Sequence, residues 1–375
     1  MTGTGKGGLE GIVVGKTEIS VIDGLAGRLW YRGIDIMELA RHSTFEETAF
    51  LLWHGRLPTR SELESLKKEL QAEYAVPEEY LQALRPLVKR EGPMEFLRTA
   101  VSMLGAYDDE SEVMTPEANQ RKAVRLTAKI PTLIAFYGRV RNGEEPVKPD
   151  TRLNIASNFL YMLQGKVPDE EICRDFDVAL VLHADHHFNA STFSARVTAS
   201  TLSDMHSAIT SAIGTLKGPL HGGANTEVMA MLETVGDKEN AEPFVLRKLQ
   251  NKEKIMGFGH RVYKTVDPRS VVLKDAAERL GKRKGNLTFY EMNLVIQRVM
   301  KEQKNLDPNV DFYSAVVYNA MGIQKELFTP IFAMSRITGW TAHVMEQLRD
   351  NRLIRPDAEY VGPKDVAYTP IEQRQ

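Results

Sequence analysis

The feature that most limits what this chain can fold into is a helical period that begins near residue 43 and persists, with short polar breaks, to residue 349. Apolar residues recur every three or four positions, as along one face of an α-helix, rather than alternating as in a half-buried strand. Ser43-Thr-Phe-Glu46 and Thr59-Arg-Ser-Glu62 fit the capping-box pattern, in which a hydroxyl and a carboxylate satisfy the free N–H groups of a helix start. Gly55 and Pro58 close the first helix, and the second, about 60–75, places Leu63, Leu66 and Leu70 on one face. Further helices are expected at about 78–90, 94–107, 117–141, 151–164, 168–187, 191–213, 222–235, 242–252, 268–281, 287–303, 311–325 and 329–349. Ahead of them, short β-type runs at 12–14, 19–22 and 29–31 surround an Asp23-Gly24 turn. After Asp350 the period dissolves into a tail with prolines and charges. The expected fold class is mainly α, with a small N-terminal β-meander.

A chain of 375 residues, 42% apolar and 26% charged, can bury a large core and has room for two domains. The net charge of -2 gives no footprint for nucleic acid or an anionic membrane surface. No apolar run approaches the roughly 20 residues that span a bilayer. The N-terminus has no apolar signal core, so a cytoplasmic location is expected. The one cysteine, Cys173, cannot form an intrachain disulfide and argues against a cysteine-built zinc site. Residues 2–8 match GxGxxG, but no strand precedes them and no helix follows. Gly15-Lys16-Thr17 resembles the end of a phosphate loop, yet Glu10 stands where the leading glycine belongs.

Four constellations carry chemistry. In Leu216-Lys-Gly-Pro-Leu-His-Gly-Gly-Ala-Asn-Thr-Glu-Val228, His221 lies between a Gly-Pro turn and a helical pattern. The positive end of a helix dipole disfavours imidazolium there, and a neutral imidazole still donates to a carbonyl. On the residues of this segment alone, a capping or core histidine is slightly the better reading. His183-Ala-Asp-His-His187 puts His183, His186 and His187 on one helical face, where a metal-dependent hydrolase is the rival enzyme reading. Ile255-Met-Gly-Phe-Gly-His-Arg-Val-Tyr-Lys264 combines two glycines and His260 with Lys248, Lys252, Lys254, Arg261 and Lys264, a loop suited to phosphates and a polar substrate. Asp311 opens an apolar helix, where an N-cap aspartate is the ordinary role. Arg336 sits in an otherwise apolar helix, so its guanidinium needs an anion from the protein or a ligand.

Taken together, GPLHGGAN, GFGHRVYKTVDPR, PNVDFYS, FAMSRITGW and LIRP, in that order, resemble the citrate synthase family over nearly the whole chain. The resemblance implies condensation of oxaloacetate with acetyl-CoA to give citrate and CoA. It implies a large helical domain of residues 1–221 plus 328–375 and a smaller one of 222–327 that closes over the substrates. It also implies a homodimer. By the same resemblance Asp311 is the base, His221 the donor to the thioester oxygen, and His260 the donor to the ketone. His186, Arg269, Arg336 and Arg355 would bind oxaloacetate, with Arg355 contributed by the partner subunit. Ile255, Met256, Gly257, Phe258, Gly259, Lys264 and Asn309 would meet CoA. No permanently bound cofactor and no metal are implied, only the acyl-CoA co-substrate. The chain lacks the long N-terminal region of larger bacterial members, so their NADH control is not implied.

His187-Phe-Asn-Ala-Ser-Thr192 also resembles 2-methylcitrate synthases, which use propionyl-CoA, whereas His183-Ala-Asp185 looks more like the citrate branch. One methylene discriminates by only about 1–3 kcal/mol. A helical CoA-binding scaffold without catalysis is the non-enzyme alternative.

Overall fold

A computed structural model describes residues 8–9, 11–260 and 262–374. Residues 2–7 of the 2–8 glycine match, Glu10 and Arg261 lie outside the described residues. The β-meander is present as three antiparallel strands, β1 (Ser20–Asp23), β2 (Arg28–Tyr31) and β3 (Ile34–Asp35), paired in that order with Ser20 opposite Tyr31 and Trp30 opposite Asp35. Residues 12–14, expected to be β, are exposed or nearly so and pair with nothing in the sheet, because no neighbouring edge buries their apolar face.

Sixteen α-helices follow among the described residues: α1 (Ile36–His42), α2 (Phe45–His54), α3 (Arg60–Ala72), α4 (Glu78–Leu84), α5 (Pro93–Leu104), α6 (Pro116–Arg141), α7 (Ile155–Gln164), α8 (Glu170–His183), α9 (Ala190–Ser200), α10 (Met205–Leu216), α11 (Ala224–Val235), α12 (Lys238–Gln250), α13 (Pro268–Lys284), α14 (Thr288–Lys304), α15 (Val310–Ala320) and α16 (Phe328–Arg349). The Thr59 capping box forms as expected. At the other box Thr44, not Ser43, caps α2, and Glu46 turns inward to accept from the Ile155 N–H at 2.8 Å. The helix expected over 191–213 is two helices. Leu202 takes a positive φ of 65°, and Asp204 then caps α10 through the Ser207 N–H. The helix expected to reach residue 187 stops at His183, because the Asp185 N–H is taken by the Tyr31 hydroxyl at 3.1 Å.

The core is organised around α16, which packs against α6, α9, α10, α2 and α8 and buries Trp340 and Arg336. Helices α11 to α15 pack chiefly on one another, through α13 on α15, α12 on α14 and α11 on α15. They meet the rest of the molecule where α13 contacts α1 and α8 and where α11 contacts α16. No helix among the described residues is long and apolar enough to cross a membrane.

Candidate active site

The site begins where α16 crosses the chain leaving α8. Gly339 donates its N–H to the Ala184 carbonyl at 3.1 Å, and a Cβ there would lie 2.4 Å from that oxygen and 2.5 Å from Asp185 Oδ1. Only glycine permits the approach. One turn earlier, Arg336 donates Nε to the His183 carbonyl at 2.7 Å and lies 4.6 Å from the Phe332 ring centroid. No protein carboxylate pairs with it among the described residues, so the anion that its burial demands is left to a ligand. Burial lowers its pKa to about 10, opposed by Asp185, and it stays charged at neutral pH.

The α8–α9 loop separates the three clustered histidines. His183 Nδ1 lies 2.7 Å from the Ala179 carbonyl, His187 Nδ1 lies 3.0 Å from the Ser20 carbonyl, and His186 Nε2 faces the Tyr263 hydroxyl. They do not converge as a ligand triad, and no group of three or more His, Cys, Asp or Glu among the described residues is disposed to hold a metal. Asn189 then caps α9 by accepting from the Thr192 N–H.

A cavity of about 740 Å³ lies between this loop and the α12–α13 and α14–α15 connections, and His186, His221, His260, Arg269, Asp311 and Arg336 all line it. Gly259 and Asn309 line it too. Asp311 is the second residue of α15, and the N-cap is Asn309, which accepts from the Asp311 N–H at 3.0 Å and donates Nδ2 to the Gly259 carbonyl at 3.1 Å. The aspartate is thereby freed from capping. Burial pushes its carboxyl up to about 6, with Arg269 pulling the other way.

Arg269 is fixed by a two-bond fork from Asp267, at 3.0 and 2.8 Å, and the same carboxylate accepts from the Val310 N–H at 3.2 Å. This buried pair locks the start of α13 to the start of α15. His260 accepts at Nδ1 from the N–H groups of Val262, at 3.0 Å, and Tyr263, at 3.2 Å. Its proton therefore sits on Nε2. Burial, then Arg269, lowers its pKa to about 4, so the ring is a neutral donor. Burial and Arg269 likewise keep His186 neutral. His221 lies in the turn before α11, with Nε2 2.8 Å from Ser191 Oγ, a hydroxyl that also takes the Trp340 indole N–H at 3.1 Å.

Other expected residues fall elsewhere. Ile255 is buried in the core. Gly257, at φ 82°, fits beneath Phe312, where a Cβ would come within 2.7 Å of that ring, and Phe258 stacks edge-on to the same ring at 4.7 Å. Met256 lines a separate cavity of about 400 Å³ with Arg247, Lys248 and Lys254, and Lys264 is exposed while its N–H bonds the Gly24 carbonyl. Arg355 has a side chain 74% exposed, 3.3 Å from Asp357, on the wall of a different cavity of about 1260 Å³. Sequence reasoning assigned no role to Ser191, Tyr263 or Asp267, although all three lie within quoted motifs. An aromatic residue inside a glycine-rich polar loop was the available signal for Tyr263.

A raised carboxyl, two neutral imidazoles and two buried guanidinium groups around one cavity define an acid–base enzyme site for an anionic substrate in a mainly helical protein. The family model described as "Citrate synthase, C-terminal domain" matches residues 8–357. The chain is 52% identical over 368 residues to citrate synthase 2 of Bacillus subtilis, covering 98% of each, and 51% identical over 379 residues to citrate synthase of Haloferax volcanii, covering 100% of each. The solved ternary complex of carboxymethyl coenzyme A and oxaloacetate with citrate synthase from Thermoplasma acidophilum matches at a TM-score of 0.93 and 33% identity, over 98% of both chains. A 2-methylcitrate synthase of Shewanella oneidensis is 43% identical over 370 residues, 98% of this chain and 97% of its own. This chain belongs to the citrate synthase family. It is an enzyme of that acyltransferase type, moving an acyl group from a CoA thioester to oxaloacetate.

Proposed function

We propose that this chain condenses oxaloacetate with acetyl-CoA through Asp311, His221 and His260, and hydrolyses the resulting citryl-CoA to citrate and CoA. The observation that carries the reading is the pairing, in one cavity, of a carboxylate raised toward 6 with a His260 whose proton is held on Nε2. The methyl group of a thioester is a very weak acid, so its proton leaves only if the developing enolate is stabilised at once. Asp311, ionised at neutral pH and more basic than an ordinary carboxylate, takes that proton. His221, braced by Ser191, donates to the thioester oxygen. The enolate carbon attacks the ketone of oxaloacetate, and His260 donates its Nε2–H to the oxygen that gains charge. Arg269 and Arg336 bind the two carboxylates, and His186 supplies a further contact. Water then cleaves the thioester.

Residues 222–327 form the closing domain in this reading, supported by the mutual packing of α11 to α15. Closure would exclude water until the carbon–carbon bond has formed. The stretch Ile255–Gly259, Lys264 and Asn309 receives CoA, supported by the cations beside Met256. The protein works as a homodimer in the cytoplasm, a compartment in keeping with its single free, buried cysteine.

The test is thiol release on mixing protein, oxaloacetate and either acetyl-CoA or propionyl-CoA. Oxaloacetate-dependent release with a kcat/KM higher for acetyl-CoA is expected. A higher value for propionyl-CoA would reassign the chain to 2-methylcitrate synthesis, and no release with either would overturn the condensation.

A further inference from the structure

Tyr263 stands behind the imidazoles of the site. It is 4% exposed, its ring centroid lies 4.7 Å from that of His260 and 5.7 Å from that of His186, and its hydroxyl lies 3.4 Å from His186 Nε2. Among the described residues that nitrogen is the one hydrogen-bond neighbour of the phenol. The direction of the bond follows from the cost of the alternative. Either way one donor lacks a protein acceptor: the buried phenol O–H, on a residue that does not line the cavity, or the Nδ1–H of His186, whose ring lines the cavity and can meet a ligand oxygen there. Only the second can be satisfied by a ligand, and a buried donor with no acceptor is costly, so donation by the phenol wins. His186 then accepts at Nε2, and its proton must reside on Nδ1, a nitrogen that no described protein group bonds. The Tyr263 main chain acts in the opposite sense on the second ring, since its N–H donates to His260 Nδ1 and leaves the proton on Nε2.

We infer that Tyr263 is a positioning residue that sets the tautomer of His186 through its hydroxyl and, together with the Val262 N–H, that of His260 through its main chain, so that each neutral imidazole meets the substrate as a hydrogen-bond donor. The substrate chemistry requires this. A keto dicarboxylate offers only acceptor oxygens, and an imidazole presenting a bare nitrogen lone pair would repel them. Tyr263 reaches from the α12–α13 loop to the α8–α9 loop, so one residue coordinates groups supplied from both sides of the cavity. The inference rests on the proposed condensation for the identity of the ligand that His186 meets.

Tyr263→Phe keeps the ring and removes only the hydroxyl. In ¹⁵N-histidine spectra of the full chain, with His186 signals identified by their loss in His186→Asn, the unaltered protein should show His186 protonated at Nδ1. Tyr263→Phe should show a large Nε2–H population, while His260, held by main-chain groups, stays unchanged. Oxaloacetate binding followed by calorimetry should weaken about 5-fold on Tyr263→Phe in the unaltered background and by less than about 2-fold in the His186→Asn background. The same His186 tautomer in both proteins, or equal weakening in both backgrounds, would overturn the inference. The tautomer measurement needs no turnover. Absent thiol release together with the expected tautomer change would therefore strike the condensation and leave the role of Tyr263 standing.

Discussion

Asp311 is held in its working state by two opposed effects. Burial raises its carboxyl to about 6, and the nearby guanidinium groups of Arg269 and Arg336 keep it from rising further. The result is a base stronger than an exposed aspartate that is still ionised at neutral pH. His260, lowered to about 4, is neutral across the same range and contributes no ionisation there. The acid limb of kcat/KM should therefore follow Asp311 alone, falling tenfold per pH unit below about 6; a limb centred near 4 would remove Asp311 as the titrating base. Asp311→Asn should lose at least about 10²-fold in kcat while still binding oxaloacetate. The linkage runs in the other direction for stability. A carboxyl raised in the folded state contributes stability below its unfolded pKa near 3.8, and that contribution is lost as pH rises through about 6. At pH 7 Asp311→Asn should thus melt no lower than the unaltered protein, and a clear drop in Tm would show that the carboxylate also holds the fold.

Between elements, the decisive contact is α16 against the end of α8. Gly339 lets the helix come close enough for its own N–H to bond the Ala184 carbonyl, and Arg336 then reaches the His183 carbonyl from the same face. Gly339→Ala would drive a methyl into that carbonyl and into Asp185, which must move apart, at a cost of about 1–3 kcal/mol. Because the displaced loop carries His186, KM for oxaloacetate should rise with the loss of stability, and an unchanged KM and Tm would refute the steric argument. Elements of this kind were unevenly legible. Thr59 announced its helix through local chemistry and caps it as expected. The break at Leu202 has no glycine or proline, and the strand-like run 12–14 lacks a tertiary partner, so nothing local distinguished either outcome. The same division holds in the site. His221, His260, Asp311, Arg269 and Arg336 sit in dense motifs and converge on one cavity. The bonds of Asp267 to Arg269, Ser191 to His221 and Tyr263 to His186 depend on side-chain directions that no spacing encodes.

At the scale of the whole molecule, His260, Arg269 and Asp311 come to the cavity from the segment spanning α11 to α15, and His186, His221 and Arg336 from outside those helices, but Arg355 does not reach it. The tail beyond α16 is exposed, including Leu353, Tyr360, Val361, Val366 and Tyr368, and it contributes nothing to the core. Asn351 and Ile354 hydrogen-bond Ser200, and a run of exposed apolar residues beyond that anchor, on a segment that adds nothing to the core, is what a second subunit would cover. A dimer that donates Arg355 across its interface would reconcile the expected oxaloacetate ligand with its position outside the site cavity. Each site would then need one intact set of catalytic residues and one intact tail from different chains. An Arg355→Ala chain and a His221→Ala chain, each inactive alone, should therefore regain activity when unfolded and refolded together. Statistical pairing makes about half of the dimers mixed, and each mixed dimer carries one site with both groups intact. About a quarter of the unaltered activity per site is the expected recovery. No recovery, with mixed dimers confirmed by mass, would place Arg355 outside the partner's site and leave the second carboxylate of oxaloacetate to Arg269 and Arg336 alone.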